Sequence, residues 1–171
     1  MNMRLDAVIS KIKKSDAVVY ILCGYPYSGK TYFAEAIVAE ADIALVSIDS
    51  LFESSGFSWD DNKLPGTQEW DEIFNCSYEL TASALHAGKS VLYDSTNHTV
   101  ASRDKLRAIA NANNAECKVI FLKTPIETIW QRWEENNHNP TRSKVSRELV
   151  QQTIDSFEEP AIDENVIIIK N

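Results

Sequence analysis

The chain has 171 residues, 44% of them hydrophobic, and a net charge of −8. That is the composition of a single globular domain with a sizeable core, and its acidity argues against a surface built to coat nucleic acid. The three cysteines, Cys23, Cys76 and Cys117, form no C-x-x-C pair, so they read as buried thiols rather than a zinc site or a disulfide framework.

Residues Arg4 to Lys14 place Leu5, Val8, Ile9 and Ile12 on one helical face, which predicts an N-terminal helix within residues 1–15, packed on the core. Charges run through Met1 to Lys14, unlike a secretory leader, and no stretch is long and apolar enough for a membrane-spanning helix. A cytoplasmic chain without a membrane partner is expected. Val18 to Cys23 is a short buried strand, followed by Gly24-Tyr25-Pro26-Tyr27-Ser28-Gly29-Lys30-Thr31 and a helix from Tyr32 to about Ala41. The eight residues spell G-x-x-x-x-G-K-T between a strand and a helix, the context in which backbone N–H groups wrap phosphate oxygens. Lys30 is expected at the β- and γ-phosphates and the Thr31 hydroxyl on Mg2+, so Gly24 through Tyr32 are the candidate nucleotide-binding residues.

Ile43 to Ile48 reads as a second strand with Asp49 at its C-terminal end. Ser54 to Gly66 is a polar loop. Thr67 is placed to cap a helix whose first turn holds Glu69, Asp71 and Glu72, and whose Trp70, Ile73, Phe74 and Leu85 form a core stripe up to Gly88. Lys89 to Asp94 is a third strand, Val100 to Asn111 a helix and Cys117 to Leu122 a fourth strand. Pro125 opens a helix carrying Trp130, Arg132 and Trp133, and Asn136 to Lys144 breaks the periodicity. Ser146 caps a last helix running through Phe157 and ended by Pro160, and Val166 to Ile169 is the fifth strand. Alternating strands and helices predict an α/β/α three-layer fold around a parallel sheet.

In such sheets ligands sit beyond the carboxyl ends of the strands. The glycine loop, Asp49 and Asp94 all fall there. Asp94, after Ser90-Val91-Leu92-Tyr93, is the expected second magnesium partner beside Thr31. Asp49 is the candidate general base for a hydroxyl acceptor. Asn62-Lys63-Leu64-Pro65 begins like the N-K-x-D of GTPases and then departs from it. Ser95, rather than a water-orienting Glu, follows Asp94, so transfer to a hydroxyl is favoured over hydrolysis. Arg132, Arg142, Lys144 and Arg147 offer positive charge for a lid over residues 132–147. The candidate catalytic set is Lys30, Asp49, Arg132 and Arg142. Trp59, Trp70, Tyr25 and Tyr27 are possible stacking surfaces for a base, with Trp70 favoured as core. His86, His98 and His138 lack metal-ligand spacing; His86 falls at a helix C-terminus and His98 near the mouth of the crevice.

The phosphate loop, the Ile48-Asp49 strand end, Asp94-Ser95-Thr96-Asn97 and Arg142-Ser143-Lys144-Val145-Ser146 leading to Phe157-Glu158-Glu159-Pro160 together resemble one branch of the P-loop kinases. It is the zeta-toxin-like and polynucleotide-kinase-like branch, of AAA-type ATP-binding character, and the resemblance spans Val18 to Val166. It implies a P-loop NTPase fold with a five-stranded parallel sheet of order 2-3-1-4-5 and a small lid. It also implies ATP with Mg2+, phosphorylation of a hydroxyl with Asp49 as base, and Thr96 and Asn97 near the acceptor or the phosphates. Arg132 would pack on the adenine, opposite a wall around Pro160. The chain departs from the pattern at Tyr27, where relatives carry a second glycine. It departs again at Phe52 and at Asn136 or Asn137, where polynucleotide 5′-hydroxyl kinases carry arginines. Two acceptors therefore stand open, an oligonucleotide 5′-end or a small metabolite. Beside them stands an ATP-binding regulatory or toxin-like module without polynucleotide kinase activity.

Overall fold

The computed structural model describes residues 5–12, 17–59 and 63–170. The ends of the predicted N-terminal helix (residues 1–4 and 13–15) and Asn62 of the Asn62-Lys63-Leu64-Pro65 run lie outside the described residues. Strands β1 (Val18–Cys23), β2 (Ala44–Ser47), β3 (Val91–Asp94), β4 (Glu116–Lys123) and β5 (Val166–Lys170) form one five-stranded sheet of order β2-β3-β1-β4-β5. Every pairing in it is parallel. The central β1 is buried along its whole length, as a strand covered on both faces must be.

Because successive strand residues point to opposite faces, β1 feeds two cores. Val19 and Ile21 join Val46, Phe52, Ile73, Tyr93, Leu106 and Val119 on one face. That face is covered by α3 (Ile48–Ser54), α4 (Thr67–His86) and α5 (Val100–Ala112). Val18, Tyr20 and Leu22 join Val8, Ile9, Phe33, Ile37, Leu92 and Ile120 on the other, under α1 (Leu5–Ile12) and α2 (Lys30–Glu40). A third, smaller cluster unites Tyr27 with Ile129 of α6 (Ile126–His138) and Val150 of α7 (Arg147–Asp155). The result is the three-layer α/β/α P-loop NTPase fold.

Several predicted boundaries move. The second strand stops at Ser47, whose hydroxyl accepts the Ser50 N–H at 3.3 Å and so caps α3; Asp49 therefore lies in a helical first turn and not at a strand end. Gly66 rather than Thr67 precedes α4, and the Glu69 carboxylate accepts the Gly66 N–H. The helix α6 runs on through Asn136 to His138, past the predicted break. The last helix ends at Asp155, and Phe157 leaves it to pack its ring 4.3 Å from Tyr25 and 5.7 Å from Phe121. Cys23 and Cys117 are buried, but Cys76 is exposed.

One buried ionic network ties this frame together. Arg103 of α5 is fully buried and donates from Nε and Nη2 to Glu164 at 2.7 and 3.0 Å. Arg107 adds a third donor to Glu164 at 2.7 Å. Removing one member of a buried pair strands the other charge. Glu164→Ala should lower the unfolding free energy by about 3–5 kcal/mol, and Arg103→Met on that background should restore part of it. Urea denaturation of the single and double variants is the measurement.

Candidate active site

The loop between β1 and α2 is shaped by two glycines. A Cβ at Gly24 would lie 3.0 Å from the Leu122 carbonyl oxygen and 2.8 Å from Ser28 Oγ, too close for any side chain. Gly29 takes φ 94 as the residue preceding α2, a conformation glycine adopts without a steric penalty. The turn leads directly into α2, whose first N–H groups have no partner within the helix. Lys30 folds its ammonium back under the loop, donating to the carbonyls of Gly24 at 2.9 Å and Tyr25 at 2.7 Å. Burial pulls its pKa down to about 8, against the attraction of Asp94 and Asp49.

Asp94 ends β3 opposite Ser47 of β2 and is only 8% exposed. Burial pushes its pKa up to about 6, opposed by Lys30 and reinforced by Asp49. Lys30, Thr31, Asp49, Asp94 and Arg142 line a single cavity of about 490 Å³ together with Pro26, Tyr27 and Gly29. The structure thus brings the phosphate loop and both predicted acids to one crevice.

The other predicted residues divide. Gly24 and Ser28 are buried beneath the loop. The Tyr25 ring is turned onto Phe157. Tyr32 is 77% exposed. It lines, with Arg132, Thr31 and Gly29, an adjoining cleft of about 1650 Å³. Arg132 Nη1 donates to the Tyr27 carbonyl at 3.0 Å. Tyr27 has φ 63, left-handed backbone in a bulky residue. Its buried ring joins the α6–α7 cluster, with the Arg142 guanidinium carbon 4.5 Å from the ring centroid. Arg147 instead sits over the Trp130 ring at 4.6 Å.

The expectation that Asn97 lies at the phosphates or the acceptor is corrected. It is 5% exposed, and its side-chain amide donates to the Leu22 carbonyl at 2.7 Å. It braces the segment after β3 against the end of β1. Thr96 lines the cavity while its carbonyl accepts the Gly24 N–H at 3.2 Å. His98 also lines the cavity, and burial holds its pKa below the usual histidine value. The motif ending at Pro160 is fastened to the frame: Glu158 accepts the Val100 N–H at the start of α5, and Glu159 meets Lys123 at 2.8 Å.

Sequence reasoning missed two positions. Arg103 Nη1 donates to the Asn97 carbonyl at 2.9 Å, from a helix with ordinary amphipathic spacing. Asn136, 5% exposed, accepts the N–H groups of Thr141 at 3.1 Å and Arg142 at 3.2 Å. It also donates to the Arg142 carbonyl at 3.1 Å. Its polarity suggested a loop, whereas it is the bracket that holds one.

Among the described residues no group of three or more His, Cys, Asp or Glu side chains could hold a metal ion. Magnesium at phosphate sites needs no such group, since one or two protein oxygens suffice beside phosphates and water. A Thr31 hydroxyl and an Asp94 carboxylate in one cavity fit that donor set.

The AAA domain family model matches residues 19–160. No curated protein matches the chain. Among solved structures, Kti12 from Chaetomium thermophilum in complex with ADP-AlF3 aligns with TM-score 0.68 at 16% identity, covering 89% of this chain and 88% of that one. A gluconokinase from Sinorhizobium meliloti 1021 aligns at 0.61 and 19% identity, covering 89% and 81%. A chain of the Pnkp1/Rnl/Hen1 RNA repair complex aligns at 0.70 and 18% identity, covering 82% of this chain but 44% of that one. At these identities the likeness is one of fold alone, the P-loop NTPase α/β fold. Among the described residues no helix is long and apolar enough to cross a membrane.

Asp94 offers a direct test of the site's electrostatics. Its folded pKa of about 6 exceeds the ordinary 3.8, so its favourable contribution to stability is full below pH 4 and lost as pH rises through 6. Asp94→Asn should leave stability near that of the parent at pH 4 and exceed it by about 2 kcal/mol at pH 8. Urea midpoints of both proteins across that range provide the comparison.

Proposed function

The chain belongs to the AAA domain family, and from that premise we propose that it is an ATP-dependent kinase transferring the γ-phosphoryl group to a hydroxyl acceptor. The observation that carries the reading is the meeting of Lys30, Asp49 and Asp94 in one cavity. The whole chain acts as one kinase domain, with residues 132–147 as its lid. A cytoplasmic setting suits it, because ATP is supplied there and its three cysteines are free thiols.

The α2 N–H groups and Lys30 bind the β- and γ-phosphates. Lys30 does so by exchanging its two loop carbonyls for phosphate oxygens. Thr31 and Asp94 would hold Mg2+, which supplies charge neutralisation on the phosphates. Asp49 accepts the hydroxyl proton as the acceptor oxygen bonds to phosphorus. The bond from phosphorus to the β–γ bridging oxygen breaks, and its electron pair leaves with ADP. Arg142 and Arg132 balance the charge that spreads over the transferring group, and Arg132 flanks the base. The residue-level roles rest on placement: Asp49 and Arg142 face the cavity that Lys30 enters, and Arg132 faces the cleft beside it.

The likeness to a gluconokinase and to a chain of an RNA repair complex frames the acceptor as a small metabolite or an oligonucleotide 5′-end. A cavity of about 490 Å³ has the size of a small-molecule site, which supports the former.

Lys30→Ala should weaken ATP binding about 100-fold or more by titration calorimetry with magnesium, having removed a charge-assisted contact from a desolvated site. Asp49→Asn should hold ATP affinity within about threefold while acceptor-dependent ADP release falls about 100-fold or more. Full turnover in Asp49→Asn would remove Asp49 from the base role, and ATP binding without product from any alcohol would identify a binding module instead.

A further inference from the structure

The cavity that holds Lys30 and Asp94 also reaches a wall of aromatic rings. Trp59, Trp70 and Phe74 all line it, each partly exposed. Behind the indoles stands Phe52, fully buried, stacked on Trp59 at 4.7 Å and on Trp70 at 5.6 Å between ring centroids. The indoles themselves are 6.2 Å apart. The wall is therefore assembled in advance, with the orientation of each ring fixed by its neighbours. Flat, rigid apolar surface left open toward a cavity is the surface a planar ligand covers.

The charges around this wall are lopsided. Asp49 and Glu53 stand four residues apart on α3, on one helical face, and both line the cavity. Asp94 is a third carboxylate. The cations in the lining are Lys30 and Arg142, and both are committed to the donor's phosphates in the reading above. His98 is held toward its neutral form by burial. A phosphate or carboxylate on the acceptor would meet carboxylates, and among the described residues of that lining no further cation pairs with it.

We propose that the acceptor is an uncharged or cationic small molecule that joins a planar aromatic ring to an alcohol hydroxyl. The ring lies on Trp59 and Trp70 and the hydroxyl faces Asp49. This deepens the kinase reading and rests on it for the phosphoryl donor. An oligonucleotide end, a sugar phosphate and a sugar acid fall outside the class.

Four probes test it with Mg-ATP: adenosine and pyridoxine, which are neutral and carry a planar ring, and adenosine 3′-monophosphate and gluconate, which are anionic. The specificity constant for ADP formation with adenosine or pyridoxine should exceed that of both anions roughly 30-fold or more. Independently of turnover, adenosine or pyridoxine should quench tryptophan emission in the presence of ADP and magnesium. Trp59→Leu should remove most of that quenching and weaken acceptor affinity about tenfold, with ATP affinity unchanged as evidence of an intact fold. Quenching with no product would uphold the class of ligand bound on the aromatic wall and overturn the kinase reading. Transfer to gluconate or adenosine 3′-monophosphate at an equal or higher specificity constant would overturn the acceptor class and leave the kinase standing. Absence of quenching by both neutral probes, or a Trp59→Leu variant with full acceptor affinity, also overturns the acceptor class.

Discussion

The site depends on the end of β1 and the end of β3 being fastened to each other. Parallel pairing carries the two strands side by side only as far as Ile21 and Tyr93. Beyond that point each stays paired only to its outer neighbour, β1 to β4 as far as Cys23 and β3 to β2 as far as Asp94, so their link to each other needs other bonds. Asn97 does this through the Leu22 carbonyl, and the Gly24 N–H does it again through the Thr96 carbonyl. Arg103 then grips the Asn97 carbonyl from behind, anchored by Glu164. The glycine loop and the segment after Asp94 are thus bonded directly to each other. Placement of a few tenths of an ångström matters for groups that share one ligand, and a buried, fully bonded arginine is a stiff way to fix it.

The same arrangement sets the electrostatics. Lys30 and Asp94 are each pushed toward neutrality by burial, and each pulls the other back toward its charged form. With values of about 8 and about 6, both remain mainly charged near pH 7. Folding bears the desolvation of two opposite charges, and both are left facing one cavity.

What could be read from the sequence was what is local. The G-x-x-x-x-G-K-T run, the strand ending in Asp94 and the alternating pattern carry their meaning within a few residues. The strand order came from the ordered set of motifs. Errors arose where a residue's polarity served a distant partner. Ile48 continues an apolar run and so reads as strand, but Ser47 caps a helix there. Asn136 reads as a loop residue because its amide is polar, yet that amide is buried to hold residues 141 and 142. Arg103 and Glu164 are 61 positions apart, and nothing near either one marks the pair. Trp70 sits in a helical stripe that reads as core, and only the fold shows that its ring also faces the cavity.

Tyr27 illustrates how such a departure is sustained. A tyrosine in left-handed backbone costs about 1–3 kcal/mol, a cost glycine would avoid. Burying its ring against Ile129 and Val150 contributes a similar amount in return, and the Arg142 guanidinium stacks upon it. The exchange has a mechanical consequence. Residues 132–147 touch the glycine loop through Tyr27 on two sides, by Arg132 at its carbonyl and Arg142 at its ring, while Asn136 fixes the backbone of Arg142. A glycine at this position would leave the Arg142 guanidinium without the ring it rests on. With tyrosine, the glycine loop itself carries the platform for that charge.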